Sequence, residues 1–77
     1  MKDLVEYLAR ALVDNPDEVK VDTYEEDDGT IVYELRVAEE DVGKVIGRNG
    51  RTVNALRTVV RAAAVRDGRR VLVDVVD

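Results

Sequence analysis

The hydrophobic positions switch between two periods along the chain, and each switch marks an element. Leu4, Leu8, Ala11 and Leu12 recur at helical spacing and predict a first helix. Asp3, with Glu6 three residues on, reads as a capping box at its start. Pro16 disfavours α backbone before it, so this helix is expected to stop near Asp14 and Asn15. Val19, Val21 and Thr23 then alternate with Lys20, Asp22 and Tyr24, the period of a strand with one buried face. Asp28-Gly29 is a two-residue hairpin signal. Ile31, Tyr33, Leu35 and Val37 alternate with Val32, Glu34 and Arg36 in the clearest strand. Residues 39–46 predict a short helix, with Val42, Val45 and Ile46 on one face. Residues 51–66 predict a long one, with Val53, Leu56, Val60 and Ala63 inward, ended by Asp67-Gly68. Val71, Val73 and Val75 alternate with Leu72, Asp74 and Val76 in a last strand.

The order is therefore α-β-β-α-α-β. The first two strands form an antiparallel hairpin. The helix pair is long enough to cross over, so the third strand is expected parallel to the second, with a right-handed connection. Three helices on one face of a three-stranded sheet make a two-layer α+β domain. Seventy-seven residues allow one domain, 1–77, with a small stability margin. Its core must come from sixteen Val, six Leu and two Ile, because Phe and Trp are absent.

Composition narrows the chemistry. No cysteine means no disulfide and no thiolate metal site. No histidine and no serine removes the imidazole base and the hydroxyl of Ser-based triads. The carboxylates form no pocket pattern, and the acidic run Glu25-Glu26-Asp27-Asp28 lacks the spacing of a calcium loop. We expect no enzyme, no cofactor and no metal. No apolar run approaches the ~20 residues of a membrane span, and the start lacks a secretory h-region. A soluble, cytoplasmic, bacterial protein is the expectation.

The net charge of −5 conceals a separation. Residues 1–43 carry four basic and fourteen acidic side chains, whereas residues 44–70 carry eight basic and one acidic. Such segregation steers a polyanion to one face and repels it from the rest. The basic part centres on Gly47-Arg48-Asn49-Gly50, between the two later helices. Lys44, Arg48 and Arg51 surround this loop. The second helix begins there, and its free N–H groups and positive dipole end suit a phosphate. The glycine spacing fits neither a Walker A loop nor the dinucleotide fingerprint, since Val45 stands at the latter's first glycine.

Val45-Ile46-Gly47-Arg48-Asn49-Gly50-Arg51 resembles the signature of the KH domain, an apolar pair followed by Gly-x-x-Gly and a helix. With the element order above, the whole chain is similar to the prokaryotic, type II KH fold. Within that group it resembles the small stand-alone bacterial proteins of the KhpA-like family. The resemblance implies a single-stranded RNA-binding protein, described in that family as an RNA chaperone. Its Gly-x-x-Gly loop would clamp the backbone of about four nucleotides. The implied RNA-binding residues are Lys44, Ile46, Gly47, Arg48, Asn49, Gly50 and Arg51. The two glycines would let the sugar-phosphate chain approach closely, and the edge of the second strand and its neighbours would form the opposite wall.

Two other readings stay open on the sequence: a KH-like scaffold or oligomerisation module acting through protein partners, and a single-stranded DNA binder. The aromatics Tyr7, Tyr24 and Tyr33 lie far from the loop in sequence, so base stacking is weakly encoded. A weak single site gains by linking copies. Ala55, Val59 and Ala62 form a second stripe on the long helix, a dimer face for a homodimer or for a heterodimer with another KH-containing protein.

Overall fold

A computed structural model describes residues 1–76. It contains α1 (Lys2–Leu12), β1 (Lys20–Glu25), β2 (Ile31–Arg36), α2 (Val42–Ile46), α3 (Arg51–Arg66) and β3 (Val71–Val76). A 3₁₀ turn at Glu39–Asp41 leads into α2, so the short helix expected over 39–46 divides into two pieces. The sheet order is β1-β2-β3. β1 pairs antiparallel with β2, from Lys20 opposite Arg36 to Glu25 opposite Ile31. β3 pairs parallel with β2, from Ile31 beside Val71 to Arg36 beside Val76.

α1 starts earlier than its predicted cap. Leu4 and Val5 N–H groups donate to the Met1 carbonyl, which places Asp3 inside the first turn rather than before it. Met1 is the N-cap and no side chain caps the helix. Glu6 does not reach back either; it sits between Lys2 and Arg10 at 3.9 and 3.7 Å. The inner face also differs from the predicted one. Val5 and Ala9 are buried, Leu4 and Leu8 flank them, and Ala11 and Leu12 are exposed. The core joins Val5 and Ala9 to Val21, Tyr33, Leu35 and Val73 of the sheet, Val45 of α2, and Leu56 and Val60 of α3.

Val32 points away from that core by strand alternation, yet it is fully buried. Its cross-strand neighbours Tyr24 and Leu72 flank it on the outer face.

The hairpin loop has three residues, not two. Gly29 N–H donates to the Glu26 carbonyl, and Glu26 N–H to that of Thr30, which leaves Asp27, Asp28 and Gly29 as the loop. Gly29 takes φ +90, the left-handed residue that closes such a loop. Asp28 accepts the Thr30 N–H at 2.9 Å, and this bond holds its carboxyl below the usual carboxylate range.

α3 ends in a Schellman motif: Arg69 N–H reaches the Ala64 carbonyl and Gly68 N–H that of Val65. Ala64, not Ala63, completes its inner face. Among the described residues no helix is long and apolar enough to cross a membrane.

Candidate nucleic-acid interface

The loop between α2 and α3 is built from three departures from ordinary backbone. Gly47 closes α2 with its N–H on the Gly43 carbonyl at 2.9 Å, then takes φ 75, ψ 174. Asn49 adopts the left-handed conformation at φ 56, ψ 27, a region that Asn tolerates better than most residues. Gly50 follows at φ 74, ψ 11, its N–H on the Gly47 carbonyl at 3.2 Å.

The reason for glycine at position 47 lies inside the protein. A Cβ there would fall 2.2 Å from Thr52 Oγ1 and 2.7 Å from Thr52 Cβ. The sequence alone sets these missing Cβ atoms against a ligand; at Gly47 the first obstacle is Thr52. At Gly50 a Cβ would meet only Asn54 Nδ2, at 3.7 Å, so there the positive φ is the constraint.

The electrostatics are unusual for a helix start. The N-cap of α3 is Gly50, with no capping side chain, and the first turn holds no acid. Arg51 stands there instead, where a cation opposes the helix dipole. Arg48 and Arg51 are exposed and make no salt bridge among the described residues.

Lys44 is different. Its ammonium pairs with Asp14 and lies 4.0 Å from Asp41. The structure thus places Lys44 beside the loop in sequence but among carboxylates in space. Asp41 itself is fully buried. It accepts the backbone N–H of Asn15 at 3.0 Å, the Asn15 Nδ2 at 3.0 Å and the Asp14 N–H at 3.3 Å. These bonds tie the end of α1 to the start of α2, and so position the loop that α2 carries. Hydrogen bonds to a charged group are worth about 1.5–3 kcal/mol each. Sequence reasoning missed Asp41, because nothing in the run Glu39-Glu40-Asp41 distinguishes it from its neighbours.

Ile46, beside the loop, is 38% exposed, whereas Val45 is buried in the core and Val42 partly covered. The opposite wall narrows to a neighbour of β2. β2 is the central strand, bonded on both sides, and has no open edge. The strand edge adjoining α3 belongs to β3: Arg57 Nε donates to the Val73 carbonyl at 2.9 Å, and its Nη1 to Asn54 Oδ1 at 3.3 Å. Tyr33 is buried, and burial pushes its hydroxyl pKa up. Tyr7 and Tyr24 are exposed on α1 and β1.

A mixed three-stranded sheet, helices in the order found here, and a Gly-x-x-Gly loop joining α2 to α3 define a type II KH fold. More narrowly, the chain belongs to the KhpA/KhpB KH-domain family, whose model matches residues 2–75. This family is not enzymatic, and the chain is not an enzyme.

The chain is 55% identical to the RNA-binding protein KhpA of Halalkalibacterium halodurans, over 100% of both chains. It is 50% identical to the protein of that name from Clostridium acetobutylicum, over 99% of this chain and 100% of that one. Among solved structures, Era in complex with MgGDPNP and nucleotides 1506-1542 of 16S ribosomal RNA aligns with a TM-score of 0.62 at 22% identity. That match covers 95% of this chain and 28% of Era, and it bears on the fold alone.

Proposed function

We propose that this chain binds single-stranded RNA, holding the backbone of about four nucleotides against the Gly47–Gly50 loop. The observation that carries the reading is the start of α3: an uncapped helix end, without an acid, flanked by the unpaired Arg48 and Arg51. Such an end is electrostatically incomplete until an anion arrives. The naming of full-length relatives as RNA-binding proteins supports RNA as that anion's source. Gly47, Asn49 and Gly50 shape the loop, Arg48 and Arg51 meet phosphates, and Ile46 offers an apolar contact to a base. Lys44, held by Asp14, contributes field rather than a direct contact. A module of this size, with few base anchors, acts by loose and reversible contacts, as an RNA chaperone does.

The test is a salt titration with a labelled single-stranded RNA. Two phosphate contacts give a log–log slope of about −1.4, at about 0.7 per contact for a single strand. Duplex RNA of the same sequence is expected to bind more weakly. A slope near zero, or a preference for duplex, would overturn the reading. A single-stranded DNA of the same sequence, bound equally well, would widen the ligand class to both.

A second surface supports self-association. Leu8 and Leu12 of α1 and Ala55 and Val59 of α3 line an apolar groove of about 230 Å³, with Val59 48% exposed. Ala62 continues the exposed stripe one turn on. A second copy, or another KH-containing protein, covers this face in our proposal and doubles the RNA sites per particle. Val59→Asp puts a carboxylate at its centre and is expected to halve the mass seen by sedimentation. Equal masses for the two proteins would remove this interface.

A further inference from the structure

At the far end of α3 from the loop, a cleft of about 380 Å³ opens between the helix and the start of β3. Arg61, Arg69 and Arg70 line it, and Ala64, Val65 and Val71 give it an apolar side. None of the three arginines makes a salt bridge among the described residues. The Schellman turn at Gly68 is what brings Arg69 and Arg70 back beside Arg61. Thr30 completes the rim, and the charged Asp28 carboxylate, which accepts the Thr30 N–H, lies close enough to Arg70 to interact with it.

We infer that this cleft is a second contact for the same RNA strand, taking a phosphate on the arginines and a base on the apolar side. The inference rests on RNA being the ligand of the loop. Three observations favour RNA over an acidic protein segment. Arg51, Arg57 and Arg61 follow one another along α3 from the loop to the cleft, with Arg57 engaged on the Val73 carbonyl. Arg51 and Arg61 are ten residues apart, a rise of about 15 Å, and lie within about 80° of each other round the helix. That span suits roughly four or five stacked nucleotides at about 3.4 Å each. Finally, arginines above an apolar floor match a nucleotide, whose charge and ring are adjacent, and the cleft lies in the size range of small-ligand pockets.

The experiment compares a tetranucleotide with a single strand of about twelve nucleotides, on wild type and on the triple variant Arg61→Ala, Arg69→Ala, Arg70→Ala. All three side chains are exposed, and circular dichroism checks the fold. Once corrected for the roughly nine registers that a four-nucleotide site has on the longer strand, wild type is expected to bind it roughly tenfold tighter through the linked second contact. The triple variant is expected to bind the tetranucleotide as wild type does, and to lose that gain. Its salt slope on the long strand falls by about 0.7, for the one phosphate no longer held. The triple lysine variant keeps the charge and is expected to keep most of the slope.

If the triple alanine variant retains both the length gain and the slope, the second contact is wrong while the loop reading stands. If polyglutamate binding needs these arginines and RNA binding does not, the cleft serves a protein and the inference is overturned. If tetranucleotide binding fails in wild type while the long strand still depends on the three arginines, the loop reading fails and the cleft stands. If wild type binds neither RNA, both readings fall.

Discussion

Gly47→Ala is expected to destabilise the protein by about 2–4 kcal/mol. Two costs act together. The backbone at φ 75, ψ 174 is one that side chains avoid, worth of order 1–3 kcal/mol. The new methyl also lands 2.2 Å from Thr52 Oγ1, 2.7 Å from its Cβ and 2.9 Å from its N, and overpacking of this kind costs about 1–3 kcal/mol. Thr52 opens α3, so the loop cannot yield without moving the helix start. Thr52→Ala removes only the nearest obstacle and is expected to rescue Gly47→Ala in part. Gly43 provides the contrast. It sits inside α2, and a Cβ added there would have nothing within 4 Å, so Gly43→Ala is expected to stabilise by up to about 1 kcal/mol. Urea denaturation of the variants reads both effects. Gly47→Ala unfolding at the same urea concentration as wild type would mean that Thr52 does not press on this position in solution.

The sequence made the periodic parts of this fold legible, because each depends on residues close together in the chain. The alternation through Ile31, Tyr33 and Leu35 and the stripe of α3 through Val53, Leu56 and Val60 both appear where expected. So does the parallel pairing of β2 and β3, which follows from crossover length. What escaped depends on contacts between distant segments. Asp41 gains its partners from residues 26 and 27 positions away, so no local pattern marks it out. The pairing of Lys44 with Asp14 spans 30 positions, so no local pattern shows it either. The central place of β2 is implicit in its two pairings, and those pairings close the edge that a groove wall would need. The loop's basic residues were legible from type and spacing. The reason for Gly47 was not, because the clash partner is set by how α3 begins.

Arg48→Asp combined with Asn49→Asp is expected to abolish RNA binding at micromolar protein while leaving the fold intact. The fold survives for reasons visible in the loop. Arg48 and Asn49 are exposed, and neither belongs to the core. Asn49 sits at φ 56, where Asp is accepted nearly as readily as Asn. Both glycines remain, and with them the turn and its contact with Thr52. Acidic residues before α3 also complement its dipole, which Arg51 now opposes. Exposed substitutions usually change stability by no more than about 0.5 kcal/mol, so the thermal midpoint should stay close to wild type. Binding responds in the opposite sense. One positive charge is lost and two negative ones arrive where the proposed phosphates lie. Like charges brought together at a contact cost several kcal/mol, more than a weak four-nucleotide site can offset. Circular dichroism reports the fold, and a titration with labelled single-stranded RNA reports the contact. A folded variant that binds as tightly as wild type would sink the loop mechanism and move the weight to a scaffold role through protein partners.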